Sequence, residues 1–253
     1  MAMTNAQDSA TTAAGQAAWF TTTHWSIVLN AQNPASPQAS EALEKLCCSY
    51  WYPLYAFVRR QGNDEYTAKD LTQAFFARLL EKNRLFQADR QRGKFRSFLL
   101  GALKHFLADE WDKTQAWKRG GGRIILSLDD QAAEDRYHLE PTDEMTPDRV
   151  FDRRWAMTTL DQAANRLRKE YQDTGKGALF DQLQEFLSGA LEGVGYAAAA
   201  ARLGMTENTL KSYVRRLRLR NREILREVIA DTVASPSQID EELRDLFAAV
   251  AAA

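Results

Sequence analysis

Hydrophobic residues recur at three- and four-residue intervals along most of this chain, which predicts amphipathic α-helices. The predicted helices cover about 40–61, 65–82, 95–118, 151–171, 178–190, 196–203 and 207–229. Pro53 falls inside the first of them, where it predicts a kink or a break. The β-branched apolar run Ile124–Leu126 is too short for a sheet. The pattern therefore predicts an all-α fold.

Charge divides these helices into two groups. Between residues 129 and 152 the chain carries nine acidic side chains and two basic ones, and such a segment repels itself and stays extended. The predicted organisation is a disordered arm (1–19), a first helical domain (20–118), an acidic flexible linker (119–150), a second helical domain (151–231) and an amphipathic extension (232–253).

The amphipathic extension has an apolar stripe at helical spacing. The stripe consists of Ile239, Leu243, Leu246, Phe247 and Val250. We expect this helix to cap the second domain, and a docking site for a regulator is the alternative.

Composition sets limits on location and class. The 253 residues carry a net charge of −1, so the total charge does not by itself indicate nucleic acid. Cys47 and Cys48 are adjacent, which excludes a disulfide framework and fits a reducing compartment. The first eighteen residues lack the basic and apolar parts of a signal peptide, and no apolar run approaches the roughly 20 residues that span a bilayer. We expect a cytoplasmic protein without membrane insertion.

The sequence lacks the patterns of an enzyme or a metalloprotein. The three histidines, His24, His105 and His138, stand apart from one another and from metal-ligand spacings. No glycine-rich phosphate loop follows a strand, and no nucleophile, histidine and acid form a recognisable set. We therefore expect no enzyme activity, no cofactor and no metal.

Residues 196–216 have the pattern of a helix-turn-helix. An alanine-rich helix is followed by Gly204, which suits a tight turn, and by Thr206, which suits the N-cap of the next helix. One face of the next helix is apolar and consists of Leu210, Tyr213, Val214 and Leu217. The opposite face carries Asn208, Ser212 and Arg215, flanked by Thr209, Lys211 and Arg216. Amide, hydroxyl and guanidinium groups of this kind read base edges and grip phosphates.

A second basic segment, 84–123, contains ten basic and four acidic residues with interleaved aromatic rings. Basic grooves with exposed rings bind unpaired nucleic-acid strands. Periodicity assigns most of these rings to the core, which leaves Trp117 and Trp111 as candidate stacking surfaces. A nucleic-acid face and an ordinary solvated face both fit this segment.

Three motifs resemble those of extracytoplasmic-function sigma factors, which belong to the sigma-70 superfamily. Residues 70–79 (DLTQAFFARL) resemble the second conserved region, and 93–110 (GKFRSFLLGALKHFLADE) resemble the block that melts and reads the −10 promoter element. The helix-turn-helix is similar to the fourth region, which reads the −35 element. The likeness covers about 20–118 and 155–230, and the motifs occur in the family's order around a linker.

The resemblance implies roles for individual residues. Those implied to bind the polymerase are Asp70, Gln73 and Phe76, although Phe76 also fits the hydrophobic core. Those implied to open and read the −10 element are Lys94, Arg96, Lys104, His105, Trp111 and Trp117. Those assigned to the −35 element are Asn208, Thr209, Lys211, Ser212, Arg215 and Arg216. The implied partners are the β′ clamp and β flap of core RNA polymerase, promoter DNA, and an anti-sigma factor or other regulator.

The chain departs from the family pattern in three places. The acidic linker is longer than expected, the segment 170–195 is longer than usual, and the chain continues past Ile229. His105 stands where many relatives carry Asn, which leaves the identity of the flipped base open.

Two other function classes remain. A helix-turn-helix regulator that is not a polymerase subunit would bind duplex DNA stably by itself. A helical interaction protein without nucleic acid would show little salt-sensitive affinity for DNA.

Overall fold

The computed structural model describes residues 37–81, 94–116, 134, 137, 145–187, 195–233 and 235–251. Its α-helices are α1 (Pro37–Arg60), α2 (Glu65–Glu81), α3 (Phe95–Ala116), α4 (Pro147–Asp173), α5 (Gly177–Leu183), α6 (Gly195–Arg202), α7 (Glu207–Ala230) and α8 (Ile239–Ala251). Short 3-10 turns follow α5 at Gln184–Phe186 and precede α8 at Pro236–Gln238. No strand occurs in the ranges given above, and the all-α prediction is confirmed. The predicted arm at 1–19 lies outside the described residues.

The chain forms two compact units. The first unit comprises Met1–Met157 and Ile229–Ala253, and the second comprises Thr158–Val228. The expected extension at 232–253 therefore groups with the first unit, instead of capping the second domain. Among the described helices, none is long and apolar enough to cross a membrane.

Helix α1 supplies the centre of the first unit. Every residue from Tyr50 to Val58 is buried, and the helix continues through Pro53 to Arg60 without the predicted break. Proline inside a helix costs about 3 kcal/mol, and the packing of so many buried side chains offsets that cost. A turn at Gly62, with φ of 92°, leads to α2, which packs against α1.

Helix α2 buries a line of side chains at three- and four-residue steps. Thr72, Phe75 and Leu79 belong to this line. The Thr72 hydroxyl donates a hydrogen bond to the Ala68 carbonyl oxygen at 2.8 Å, which satisfies it inside the core. Leu71 is half-buried at the edge of this line.

The acidic linker is anchored at the residues that the structure describes. Glu134 is buried and accepts hydrogen bonds from the Tyr55 hydroxyl and from Arg59 Nε, the latter at 3.1 Å. The Arg59 guanidinium lies 4.6 Å from the centre of the Tyr137 ring. Burial and the bond to Glu134 raise the pKa of Tyr55. These residues dock on α1, so the expectation of a self-repelling extended linker is wrong for them.

The second unit has a core formed by α4, α5, α6 and α7. Its fully buried side chains include Leu167, Phe180, Leu183, Phe186, Leu210, Leu217 and Ile224. Gly175, with φ of 72°, ends α4, and the Lys176 amide donates to the Tyr171 carbonyl at 2.7 Å. Helix α5 and its 3-10 turn end at Phe186, within the predicted helix 178–190. This core supports the helix-turn-helix.

Candidate nucleic-acid interface

The turn between α6 and α7 has the geometry that the sequence predicts. Gly204 has φ of 62°, and the Met205 amide donates to the Ala200 carbonyl at 3.0 Å, which closes α6. The Thr206 side chain accepts a hydrogen bond from the Thr209 amide at 3.2 Å. Thr206 therefore caps α7, and the cap sets the start of the helix.

The inner faces of α6 and α7 are buried. Ala199 and Ala200 are buried, and so are Leu210, Val214 and Leu217 on the inner face of α7. The Tyr196 ring lies 5.1 Å from the ring of Phe186, which ties α6 to the 3-10 turn. The inner face of α7 is thus fixed by packing, and this fixes the direction of its outer face.

The six predicted reading residues of α7 are all exposed. They are Asn208, Thr209, Lys211, Ser212, Arg215 and Arg216, and we call them the reading face. Several make local contacts: Ser212 donates to the Asn208 carbonyl at 2.9 Å, and Lys211 pairs with Glu207 at 2.5 Å. The Arg216 guanidinium lies 4.8 Å from the Tyr213 ring centre. These contacts stay on the surface of α7, where the side chains remain open to a ligand.

Not every basic residue of α7 belongs to this face. Arg218 donates to the Phe186 carbonyl at 3.0 Å. Arg220 binds Glu170 through Nε at 2.8 Å and Nη2 at 2.7 Å, and also pairs with Glu223 and Glu227. Hydrogen bonds to these acids, led by Glu170, raise the pKa of Arg220. The basic side chains of α7 are therefore divided between an exposed surface and bonds to other groups of the second unit.

The residues predicted to open the promoter strand divide into an exposed group and a covered group. Lys104, His105 and Trp111 are exposed on α3, and Lys104 pairs with Asp148. The Lys104 ammonium group also lies 5.7 Å from the Phe57 ring centre. Trp117 lies outside the described residues. The exposed group offers a cation, an imidazole and a ring on one helix, which suits contact with an unpaired strand.

Lys94 and Arg96 differ from the prediction because acidic side chains cover them. Arg96 is 9% exposed, and its Nε donates to Glu242 Oε1 at 2.7 Å. Arg96 also pairs with Asp152 and, at 2.8 Å, with Asp245. Lys94 pairs with Glu241 at 3.0 Å, with Glu242 at 3.1 Å, and with Asp245. In this conformation the two cations do not present their charges to DNA.

These ion pairs leave both bases protonated in spite of their burial. Burial is the largest single influence on the pKa of Arg96 and lowers it, but the hydrogen bond to Glu242 and the charges of Glu242, Asp152 and Asp245 together outweigh it and raise the pKa. Burial likewise opposes the charge of Lys94, while bonds to Asp245, Glu241 and Glu242 raise its pKa. For Asp152 burial is the stronger effect: it raises the pKa of this carboxyl, although the charge of Arg96 lowers it.

The three predicted polymerase-binding residues do not share one environment. Asp70 and Gln73 are half-buried, whereas Phe76 is 2% exposed and packs edge-on against Phe75 at 5.7 Å. Phe76 is thus a core residue. This placement corrects the expectation that its side chain contacts the polymerase. Tyr66 is largely exposed and lies four residues before Asp70, on the same helical face.

Comparison with known proteins agrees with this geometry. The family model described as ECF sigma factor matches residues 39–228, which is most of the chain. Searches of curated proteins and of solved structures returned no significant match. The matched range includes the capped helix-turn-helix, the α2 motif and the basic block of α3. The chain therefore belongs to the ECF sigma factor family and is a DNA-binding protein of transcription initiation.

Proposed function

We propose that this chain binds core RNA polymerase in the cytoplasm and directs it to promoters, with its two units reading different promoter elements. The observation that carries the proposal is the reading face of α7, whose six side chains are exposed while Leu210, Val214 and Leu217 are buried. A helix held in this way presents amides, hydroxyls and guanidinium groups to the major groove. The second unit thus reads the −35 element.

The first unit opens the promoter and binds the polymerase. Lys104, His105 and Trp111 are exposed on α3, where a cation can hold a phosphate and a ring can stack on a base. Tyr66, Asp70 and Gln73 lie along one face of α2, and this face contacts the β′ clamp. The β flap is the proposed contact of the second unit.

Transcription from a promoter library with reconstituted polymerase tests the division of labour. Lys211→Ala and Arg215→Ala should each lower −35-dependent initiation by about fivefold or more, because a specific base contact is worth about 1–3 kcal/mol. Both variants should bind core polymerase as the wild type does. Lys169→Ala is the matched control, since it removes an exposed cation from α4 of the same unit.

A second pair of variants tests the polymerase-binding face. Gln73→Ala should weaken binding to core polymerase, while Gln61→Ala, the same change at an exposed turn, should leave it unchanged. Polymerase binding can be measured by competition with a labelled wild-type chain. If the Lys211 and Arg215 variants lose polymerase binding instead of promoter dependence, the proposed division between the units is wrong.

The alternative regulator makes a different prediction. A helix-turn-helix protein that is not a polymerase subunit would bind its duplex site tightly when alone and would give no promoter-specific transcripts with core polymerase. The same library experiment therefore separates the two functions.

A further inference from the structure

Two cations at the beginning of α3 are held by acids from the C-terminal helix. We call Asp152, Glu241, Glu242 and Asp245 the carboxylate cluster; three of its members lie on α8 and one on α4. Its partners, Lys94 and Arg96, are two of the residues implied to hold the unpaired strand. Four carboxylates facing two bases overcompensate their charge, so a phosphate cannot be attracted there while the cluster is in place.

The contacts of Arg96 have the form that a phosphate would take. Its Nε and Nη2 atoms bind the two oxygens of Glu242 at 2.7 and 3.2 Å. Paired donors of arginine bind carboxylate and phosphate with the same planar geometry. The Glu242 carboxylate therefore occupies the position in which this guanidinium would hold a backbone phosphate.

The segment before α8 is also docked on the first unit. The Phe95 amide donates to the Thr232 carbonyl at 3.2 Å, so the chain meets the first residue of α3 directly. Thr232 and Val233 are buried. The start of α3 is thus covered by the main chain as well as by the carboxylate cluster.

Both ion pairs and a small apolar contact dock α8 on the first unit. Ile239 and Leu246 are buried, but Phe247 and Val250 from the predicted apolar stripe are exposed. A cavity of about 270 Å³ lies beside the contact, lined by Arg96, Arg149 and Asp245 among others. Glu242 is 0% exposed, and a carboxylate at that depth is tolerated when it is paired. Removing charge from the ion pairs should therefore weaken the docking of this helix.

We propose that α8 is an autoinhibitory element that occupies Lys94 and Arg96 in the free protein and competes with the phosphates of the unpaired promoter strand. Binding of polymerase and promoter then displaces the carboxylate cluster and frees the two cations. The proposal rests on the strand-opening role assigned to this block under the proposed function. It gives the C-terminal extension a role in restricting DNA contact to the polymerase-bound state.

Neutral isosteres of the cluster test this competition in the full-length protein. Asp245→Asn and the double variant Glu242→Gln/Asp245→Asn remove charge from the contact and keep the side-chain shape. Asp240→Asn is the matched control, because it removes the same charge from the exposed first turn of α8. The probe is a labelled single-stranded oligonucleotide carrying a −10-like sequence, with binding followed by fluorescence anisotropy.

The expected result is tighter binding of the oligonucleotide by the cluster variants. Apparent affinity scales with the fraction of molecules whose site is open, so a docked state favoured by about ten to one predicts a gain of about tenfold. Hydrogen exchange in 239–251 should quicken in the same variants, while exchange in 50–58 stays slow. Added salt should have the same effect on 239–251 in the wild type.

Unchanged or weaker oligonucleotide binding in a folded Asp245→Asn variant would overturn the proposal and make α8 a structural part of the first unit. That variant keeps the buried Glu242, so it remains decisive if the double variant fails to fold. Promoter-specific transcription by the wild type on the same preparations separates the two hypotheses. Absent transcripts contradict the proposed function, whereas normal transcripts with unaltered binding by the variants contradict the autoinhibition.

Discussion

The position of α7 against its core can be tested with two leucines on the same helix. Leu217 is 0% exposed, whereas Leu219 is 50% exposed two residues later. Replacing each by Ala removes the same atoms, but the buried site also gains a cavity. Leucine-to-alanine changes in a core cost about 2–5 kcal/mol, while a half-exposed leucine loses about 1 kcal/mol or less of burial energy.

The second unit spans residues 158–228, a size at which 1 kcal/mol shifts the melting temperature by about 4–8 °C. Leu217→Ala should therefore lower the melting temperature of this unit by at least about 8 °C, and Leu219→Ala should lower it by less, at most about 4–8 °C. Scanning calorimetry of the full chain measures both, and hydrogen exchange in 207–225 assigns the change to this unit. Equal shifts of the melting temperature in the two variants would refute the assignment of Leu217 to the inner face of α7 and of Leu219 to its outer face.

Two smaller perturbations test the cap and an ion pair of the second unit. Thr206→Ala removes the cap of α7 and should destabilise the unit by about 1 kcal/mol, with faster amide exchange at 207–210. Thr206→Ser should keep the cap and the slower exchange. Similar exchange rates in the two variants would contradict the capping role of Thr206. Hydrogen bonding to Arg220 holds the pKa of Glu170 below its usual 4.5. The contribution of this pair to the stability of the folded unit is therefore complete above pH 4.5, and it is lost as the pH falls through the lower pKa of the folded state. The wild type should therefore lose more thermal stability than Glu170→Gln between about pH 6 and pH 3.5, and equal losses in melting temperature would count against the pair.

Local periodicity predicted the helices and the two faces of α7, because those features depend on neighbours within a few turns. The cap at Thr206 and the turn at Gly204 were predictable for the same reason. The docking of Glu134 on Tyr55 was not, since the residues are 79 positions apart and an acidic segment by itself indicates solvent. The hydrogen bonds of Glu134 to residues distant in the sequence decide that it is buried.

The burial pattern of helix α8 also depends on a partner that is distant in the sequence. Its apolar stripe predicted burial of Phe247 and Val250, yet Glu242 lies in the buried line between Ile239 and Leu246. A carboxylate takes that place because Arg96, 146 positions earlier, neutralises it. No pattern within α8 indicates this partner, and for the same reason the covering of Lys94 could not be predicted from the sequence.

The separation of tasks along α7 has a consequence for engineering promoter preference. Its first turns carry the reading face, while Arg218 and Arg220 further along hold the helix to Phe186 and Glu170. Exchanges at 208, 211, 212 and 215 leave those anchoring bonds intact, so their thermodynamic cost should be small. A library randomised at these four positions should therefore yield folded chains that prefer different DNA sequences. Such chains could each act on their own promoter without activating the promoters of the others.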